Sequence, residues 1–274
     1  MMETIASITT VRNLLDEYDL KAKKKYGQNF LVDEETVRKI VGEVDEDSFV
    51  LEIGPGLGAL TQKLVQKAHR VIAYEIDSDL VKVLNDIFRE EENLDVRNKD
   101  ITEVDLGEII RQESDGRRCT VVSNLPYYIT TDILNQVFCS SDDVEKVIVM
   151  MQKEVAMRFV NRTDRKDYNV INVLADLYSD YELVCKVGKH CFYPVPGVDS
   201  AVLKFELKND RVDMVLVEFI RDCFSNRRKL LLSVLKQKGY GVDAETFEKI
   251  GLSEKVRVED LSGSDFIRLY EVTR

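Results

Sequence analysis

The sequence has few of the residues that build metal sites and disulfide frameworks. It contains two histidines and five cysteines among 274 residues, and no two of the cysteines have CxxC spacing. Zinc sites need about four such ligands at short spacing, so we expect no bound metal. The odd number of thiols predicts no disulfide framework either, and reduced cysteines are typical of a cytoplasmic protein.

Long apolar runs are also missing. The longest runs have the length of a strand, as at residues 147–151, whereas a helix that crosses a bilayer needs about 20 apolar residues. The N-terminus has no basic stretch followed by an apolar core. We therefore expect neither a membrane span nor a signal peptide, and a monomer is the default expectation.

The sequence lacks an excess of basic charge. Its formal net charge is −11, which counts against a nucleic-acid binder because a basic surface is the usual footprint of that class. Residues 209–274 carry 12 basic and 12 acidic side chains, so the whole acidic excess lies in residues 1–208. Within that acidic part, Lys23, Lys24 and Lys25 form a local basic run, and local clusters are what contact phosphates.

Strand-like and helix-like segments alternate over residues 49–207. The pattern predicts seven strands, at residues 49–53, 70–76, 94–97, 119–123, 146–151, 182–187 and 201–207. Helical patterns lie between most of them, which predicts an α/β fold with helices on both faces of a mostly parallel sheet. Residues 212–274 contain no convincing strand. The predicted domains are therefore residues 1–208, with an N-terminal extension at 1–32, and a small all-helical domain at 209–274.

The first helix of this C-terminal region is predicted to be amphipathic. Its apolar positions, from Ile220 to Leu235, fall on one side. On another side, Arg221, Arg228 and Lys229 share one arc with Lys236. This arc is a candidate contact for a nucleic acid.

A glycine-rich turn follows the first predicted strand. Gly54, Gly56 and Ala59 match the G-x-G-x-x-G/A fingerprint of dinucleotide-binding folds. Glu75 ends the next strand, 21 residues after Gly54, where a carboxylate can accept hydrogen bonds from both hydroxyls of a ribose. Two alternatives remain open at this point: a nicotinamide cofactor, or glycines that serve only helix–strand packing.

Two later features favour methyl transfer to an adenine. Asp100 follows the third strand, where it can accept a hydrogen bond from an adenine amine. The tetrapeptide NLPY follows the fourth, and a dehydrogenase has no need of it. The amine is a poor nucleophile because its lone pair is delocalised into the ring. The side-chain oxygen of Asn124 and the main-chain carbonyl of Leu125 can accept its two hydrogens and localise that lone pair.

The rest of the tetrapeptide fits the same chemistry. Pro126 fixes the turn that aims the carbonyl, and Tyr127 offers a ring for base stacking, worth about 1–3 kcal/mol. Phe192 can clamp the target base from its other face, as a pocket for an extruded base requires. The alternatives are an ordinary Asn-Pro turn after a strand and, for Phe192, a core aromatic residue.

Four motifs together resemble one known family. They are KKKYGQNFL at residues 23–31, LEIGPGLG at 51–58, NLPYY at 124–128 and FYPVPGVDSAV at 192–202. In this order they are similar to the ribosomal RNA small-subunit adenine dimethyltransferases, the KsgA type, over roughly residues 10–240. Three positions depart from the family pattern: Asp132 replaces a usual proline, Asn169 a usual glycine, and Gly197 a usual lysine.

The resemblance implies a Rossmann-like seven-stranded S-adenosylmethionine methyltransferase sheet. It also implies transfer of two methyls to each of two adjacent adenines near the 3′ end of the 16S rRNA, coupled to assembly of the small ribosomal subunit. The implied cofactor-binding residues are Asn29, Leu31, Gly54, Glu75, Asp100 and Asn124. The implied RNA contacts are the basic run and Arg227, Arg228 and Lys229.

Other functions remain possible from the sequence. The related large-subunit rRNA adenine methyltransferases, which confer macrolide resistance, share the fold and the chemistry. A ribosome assembly factor or a transcription accessory factor built on this fold is a further class. The segment at 226–229 favours the small-subunit enzyme, while Glu75 and Asn124 favour retained catalysis.

Overall fold

The computed structural model describes residues 3–124, 130–140, 143–160, 168–208 and 212–274. Its strands are β1 (Phe30–Leu31), β2 (Phe49–Ile53), β3 (Arg70–Glu75), β4 (Leu94–Asn98), β5 (Cys119–Asn124), β6 (Val144–Gln152), β7 (Ser179–Val187), β8 (Phe192–Tyr193) and β9 (Ser200–Leu207). Its α-helices are α1 (Ile8–Glu17), α2 (Glu34–Gly42), α3 (Thr61–Leu64), α4 (Ser78–Ile87), α5 (Leu106–Glu113), α6 (Thr130–Cys139), α7 (Lys153–Val160), α8 (Val170–Tyr178), α9 (Met214–Phe224), α10 (Leu231–Gln237), α11 (Ala244–Lys249) and α12 (Gly263–Thr273). In the described ranges, no helix is long and apolar enough to span a membrane.

The predicted seven-stranded α/β sheet is confirmed. Its strand order is β4-β3-β2-β5-β6-β9-β7. Strands β2 to β6 pair in parallel, and β9 runs antiparallel to both of its neighbours. The chain leaves β2 towards β3 on one side and returns to β5 on the other. Such a switch point opens a crevice at the carboxyl ends of the strands, which is where ligands bind in open α/β sheets.

Both faces of the sheet are buried under helices. In β2, Leu51 belongs to one apolar cluster and Val50 to the other. Successive side chains of a strand point to opposite faces, so this alternation shows that the core has two layers. Phe219 and Phe266 of the C-terminal helices share the first cluster with Phe205 of the sheet. The proposed domain boundary at 208/209 stays a prediction.

The prediction of one long helix at the start of the C-terminal region is wrong. The chain there forms two helices, α9 and α10, separated by residues 225–230. Polar side chains interrupt the apolar pattern there, and the Ser225 hydroxyl donates to the carbonyl of Asp222 at 2.7 Å. The main-chain N–H of Leu231 donates to the carbonyl of Val256 at 3.0 Å, which anchors the start of α10. Arg221 and Arg228 therefore do not lie on one helix face with Lys236.

We expect Gly58→Ala to lower the free energy of unfolding by about 2–4 kcal/mol. Gly58 has φ +91°, and an added Cβ would lie 2.6 Å from a ring carbon of Phe88. Gly116→Ala is the matched control, because Gly116 has φ +74° but nothing within 4 Å of the added atom. Urea unfolding measures both variants. Equal losses would contradict a role for the Phe88 contact.

Candidate active site

A cleft opens at the carboxyl ends of β2, β3 and β5 and beside the segment after β4. It holds about 1300 Å³ of empty space, its open mouth included. Seven of the predicted site residues line it: Asn29, Leu31, Gly54, Glu75, Asp100, Asn124 and Phe192. Leu125, Pro126 and Tyr127 lie outside the described residues.

The glycine turn forms the floor of the cleft. Gly54 and Gly56 have φ of +69° and +62°, a region that side chains with a Cβ disfavour. The main-chain N–H of Gly54 donates to the carbonyl of Tyr74 at 2.9 Å, which ties the turn to β3. An added Cβ on Gly56 would lie 3.2 Å from the ring of Phe30. The turn is therefore packed closely between the sheet and the N-terminal segment.

Glu75 ends β3 with its carboxylate held by two main-chain donors. One oxygen accepts from the N–H of Gly56 at 3.1 Å, and the other accepts from the N–H of Asp77 at 2.9 Å. The side chain is buried, and this burial raises the pKa of Glu75 to about 7 against the lowering effect of those two hydrogen bonds. The orientation of the carboxylate is thus fixed before any ligand binds.

Glu52, on β2, is a second buried carboxyl on the cleft wall and was not singled out from the sequence. Its side chain is 1% exposed. One oxygen accepts from the Thr61 hydroxyl at 2.7 Å, and the other, Oε1, has no hydrogen-bond partner in the described part of the chain. Burial raises the pKa of Glu52 to about 8, opposed by the Thr61 hydrogen bond. The sequence pattern of a buried strand does not predict that a carboxyl side chain within it lines a cleft.

Asp100 and Asn124 stand on opposite sides of the switch point. One oxygen of Asp100 accepts from the N–H and the hydroxyl of Thr102, at 2.9 and 2.7 Å, which begins a short 3₁₀ turn. The amide nitrogen of Asn124 donates to the carbonyl of Asn29 at 3.4 Å. Ser123 ties β5 to β2 through a 2.6 Å hydrogen bond to the carbonyl of Ile53.

The N-terminal segment forms the opposite wall. Strand β1 pairs antiparallel with β8, so that Leu31 lies opposite Phe192. Asn29 donates its side-chain N–H to the carbonyl of Gly27 at 2.9 Å. Phe192 is 2% exposed and belongs to an apolar cluster, yet it also lines the cleft. Its clamping role stays a prediction.

The basic candidates differ in what surrounds them. Lys24 and Lys25 are exposed, and the ammonium of Lys25 lies 4.3 Å from the ring centroid of Tyr26. Lys23 is paired instead with two carboxylates, Asp77 at 2.7 Å and Asp79 at 2.8 Å. Both contacts raise the pKa of Lys23, and the hydrogen bond to Asp77 has the larger effect. Sequence reasoning missed this arrangement, because 54 residues separate Lys23 from Asp77.

The C-terminal candidates cluster around the turn between α9 and α10. Arg221, Arg228 and Lys229 are exposed, while Arg227 is half-buried. The ammonium of Lys229 donates to the side-chain oxygen of Gln237 at 3.1 Å. Their contact with RNA stays a prediction.

Known proteins resemble this chain over nearly its full length. The model of the ribosomal RNA adenine dimethylase family matches residues 19–274. A ribosomal RNA small subunit methyltransferase A from Leuconostoc mesenteroides is 40% identical over 98% of this chain and 96% of that protein. A dimethyladenosine transferase from Plasmodium falciparum has a TM-score of 0.72 at 24% identity, covering 88% of this chain and 95% of that one. The 23S rRNA methyltransferase ErmE has a TM-score of 0.65 at 27% identity, covering 89% of this chain and 99% of that one.

Proposed function

Because the chain belongs to the ribosomal RNA adenine dimethylase family, we propose that it methylates small-subunit rRNA. The donor is S-adenosylmethionine, and the acceptors are the exocyclic amines of two adjacent adenines near the 3′ end of 16S rRNA. The observation that carries this proposal is the single cleft that brings together Gly54, Glu75, Asp100 and Asn124.

The donor set of the cleft fits S-adenosylmethionine. Glu75 and Asp100 both line the cleft, and their carboxylates would accept hydrogen bonds from the ribose hydroxyls and the adenine amine of the cofactor. The buried Oε1 of Glu52 has no partner in the described ranges, which suits a ligand with hydrogen-bond donors. Asn29 and Leu31 would border the methionine end of the bound cofactor. When bound, the sulfonium supplies an electrophilic methyl group with a good leaving group.

The protein's own residues orient the amine. The Asn124 oxygen accepts one hydrogen of the adenine amine, and the Leu125 carbonyl is proposed to accept the other. Pro126 fixes that turn, while Tyr127 and Phe192 hold the base. These residues favour a localised lone pair, so the rate comes chiefly from alignment and no strong general base is required.

The partner in this proposal is the small ribosomal subunit. Exposed Lys24, Lys25, Arg228 and Lys229, with Arg221, are proposed phosphate contacts. Lys23 and Arg227 are the other two residues predicted to contact RNA. The proposal further includes a cytoplasmic location and a monomeric enzyme without metal.

The test is incubation of the protein with methyl-labelled cofactor and purified immature small or large subunits. We expect label in the small subunit only. Label confined to the large subunit would reject this substrate in favour of a large-subunit rRNA methyltransferase such as ErmE. Absence of label in both, with binding to the small subunit retained, would favour a non-catalytic assembly factor.

Affinity for S-adenosylhomocysteine, the cofactor product, is expected to weaken as the pH falls. An ionised carboxylate accepts hydroxyl donors better than a protonated one, and the pKa of Glu75 is raised to about 7. Linkage then predicts affinity about tenfold weaker at about pH 6 than at about pH 8. Calorimetry measures the two affinities. The Glu75→Gln variant should lose the pH dependence. A pH-independent affinity in the unsubstituted protein would contradict the role of Glu75.

A further inference from the structure

Asp77 joins two parts of the cleft that are distant in sequence. Its side chain is 3% exposed. One carboxylate oxygen accepts from the ammonium of Lys23 at 2.7 Å, and the other accepts from the amide of Gln28 at 2.8 Å. The main-chain N–H of Lys23 also donates to the Gln28 side chain at 2.7 Å. Lys23, Gln28 and Asp77 thus form a closed triangle of hydrogen bonds.

The same residue holds the carboxylate proposed to bind the ribose. The main-chain N–H of Asp77 donates to Glu75 at 2.9 Å. Asp77 is also the N-cap of α4, because its side chain accepts from the N–H of Asp79 at 3.2 Å. Although burial alone would raise the pKa of Asp77, the hydrogen bonds from Lys23 and Gln28 hold it below its usual range. A buried carboxylate with these donors stays charged and rigid.

Residues 23–31, which we name the N-terminal wall, continue from this triangle to the reaction centre. The carbonyl of Asn29 accepts from the amide of Asn124 at 3.4 Å, and Phe30 packs against Gly56. A shift of the wall therefore changes the surroundings of the Glu75 carboxylate and of the Asn124 amide together.

We propose that Asp77 is a positioning residue that couples cofactor binding to closure of the N-terminal wall. This inference rests on the proposed cofactor site. Its side chain holds the wall through Lys23 and Gln28, while its main chain orients Glu75. Coupling between two sites is reciprocal, so the bound cofactor holds the wall closed and the closed wall tightens the cofactor.

The test is Asp77→Asn, because asparagine is also a good helix N-cap and preserves the shape of the side chain. Without the charge, Lys23 loses its buried partner. We expect the KM for S-adenosylmethionine to rise about tenfold, within the range typical of coupled sites. The matched control is Asp79→Asn, since Asp79 also pairs with Lys23 but its side chain is 40% exposed. Its KM should stay within about twofold of the unsubstituted value.

Limited trypsin cleavage gives a readout that a merely structural role would not change. Cleavage after Lys24 and Lys25 reports opening of the wall. Saturating S-adenosylhomocysteine should slow this cleavage in the unsubstituted protein and in Asp79→Asn, and should not slow it in Asp77→Asn. Equal protection of all three proteins would overturn the inference.

Two further measurements separate the possible failures. If the unsubstituted protein does not bind S-adenosylhomocysteine in calorimetry, the proposed function fails rather than the coupling. If thermal unfolding shows that Asp77→Asn does not fold, Lys23→Met removes the same ion pair from the other side. Loss of protection after Lys24 and Lys25 is then expected, and retained protection would overturn the inference.

Discussion

Replacing Asn124 by alanine is expected to lower kcat for adenine methylation by about 100–1,000-fold, the usual effect of removing one group that stabilises charge in a transition state. The substitution removes the proposed acceptor of one amine hydrogen, so the lone pair stays delocalised. Single-turnover methylation of immature small subunits measures the loss. Affinity for the subunit should change by less than about threefold, because base contacts are a small part of an rRNA interface.

Asn85→Ala is the matched control for this experiment. Asn85 is an exposed residue of α4, and the same change there should leave kcat unaltered. A near-normal kcat for Asn124→Ala would contradict the proposed role of the amide. A variant that lacks activity and yet rescues every defect of a null strain would show that the binding role outweighs catalysis.

Glu75→Ala is expected to weaken S-adenosylhomocysteine binding by about 100-fold or more. Each hydrogen bond to a charged group contributes about 1.5–3 kcal/mol, and about 1.4 kcal/mol is tenfold in affinity. The variant loses both proposed ribose contacts and leaves the N–H groups of Gly56 and Asp77 without their carboxylate. Calorimetry measures the dissociation constant.

Glu113→Ala separates lost binding from lost stability. Glu113 ion-pairs with Arg70 and Arg97 at 2.7 Å, and Arg70 begins β3, at the end of the strand away from the cleft. Its loss should destabilise the fold while affinity for the ligand stays within about twofold. Equal weakening by both variants would contradict a direct contact at Glu75.

Short-range patterns were enough to predict the sheet. Buried strands combine β-branched and apolar residues with turn residues at their ends, so all seven strands of the sheet were located. Because parallel strands end at one edge, the sequence also predicted that Gly54, Glu75, Asp100 and Asn124 share one cleft, and all four line it. Their chemical roles stay predictions.

Contacts between distant segments could not be predicted from these short-range patterns. The strands β1 and β8 have two residues each, too few for periodicity to detect. Lys23 belongs to a run that looks like an RNA contact, and only the folded chain brings it to Asp77. The turn between α9 and α10 was missed because an apolar position resumes at Leu231 with helical spacing.

Two departures from the family pattern have a local explanation. Asn169 is the N-cap of α8, and its side chain accepts from the N–H of Ile171 at 3.1 Å, a role that glycine fills less well. Asp132 lies in the first turn of α6, where the helix dipole favours negative charge. Nothing in the structure explains Gly197, around which an added Cβ would meet open space.

Mass spectrometry of 16S rRNA can show directly whether the protein dimethylates two adjacent adenines. Immature small subunits are incubated with the protein and S-adenosylmethionine, and the rRNA is digested and sequenced by mass. We predict two methyl groups on each of two adjacent adenines near the 3′ end. Over the same incubation time, Asn124→Ala should leave at most a trace of methylation there. Unmodified adenines there, with a cofactor-competent protein, would contradict it.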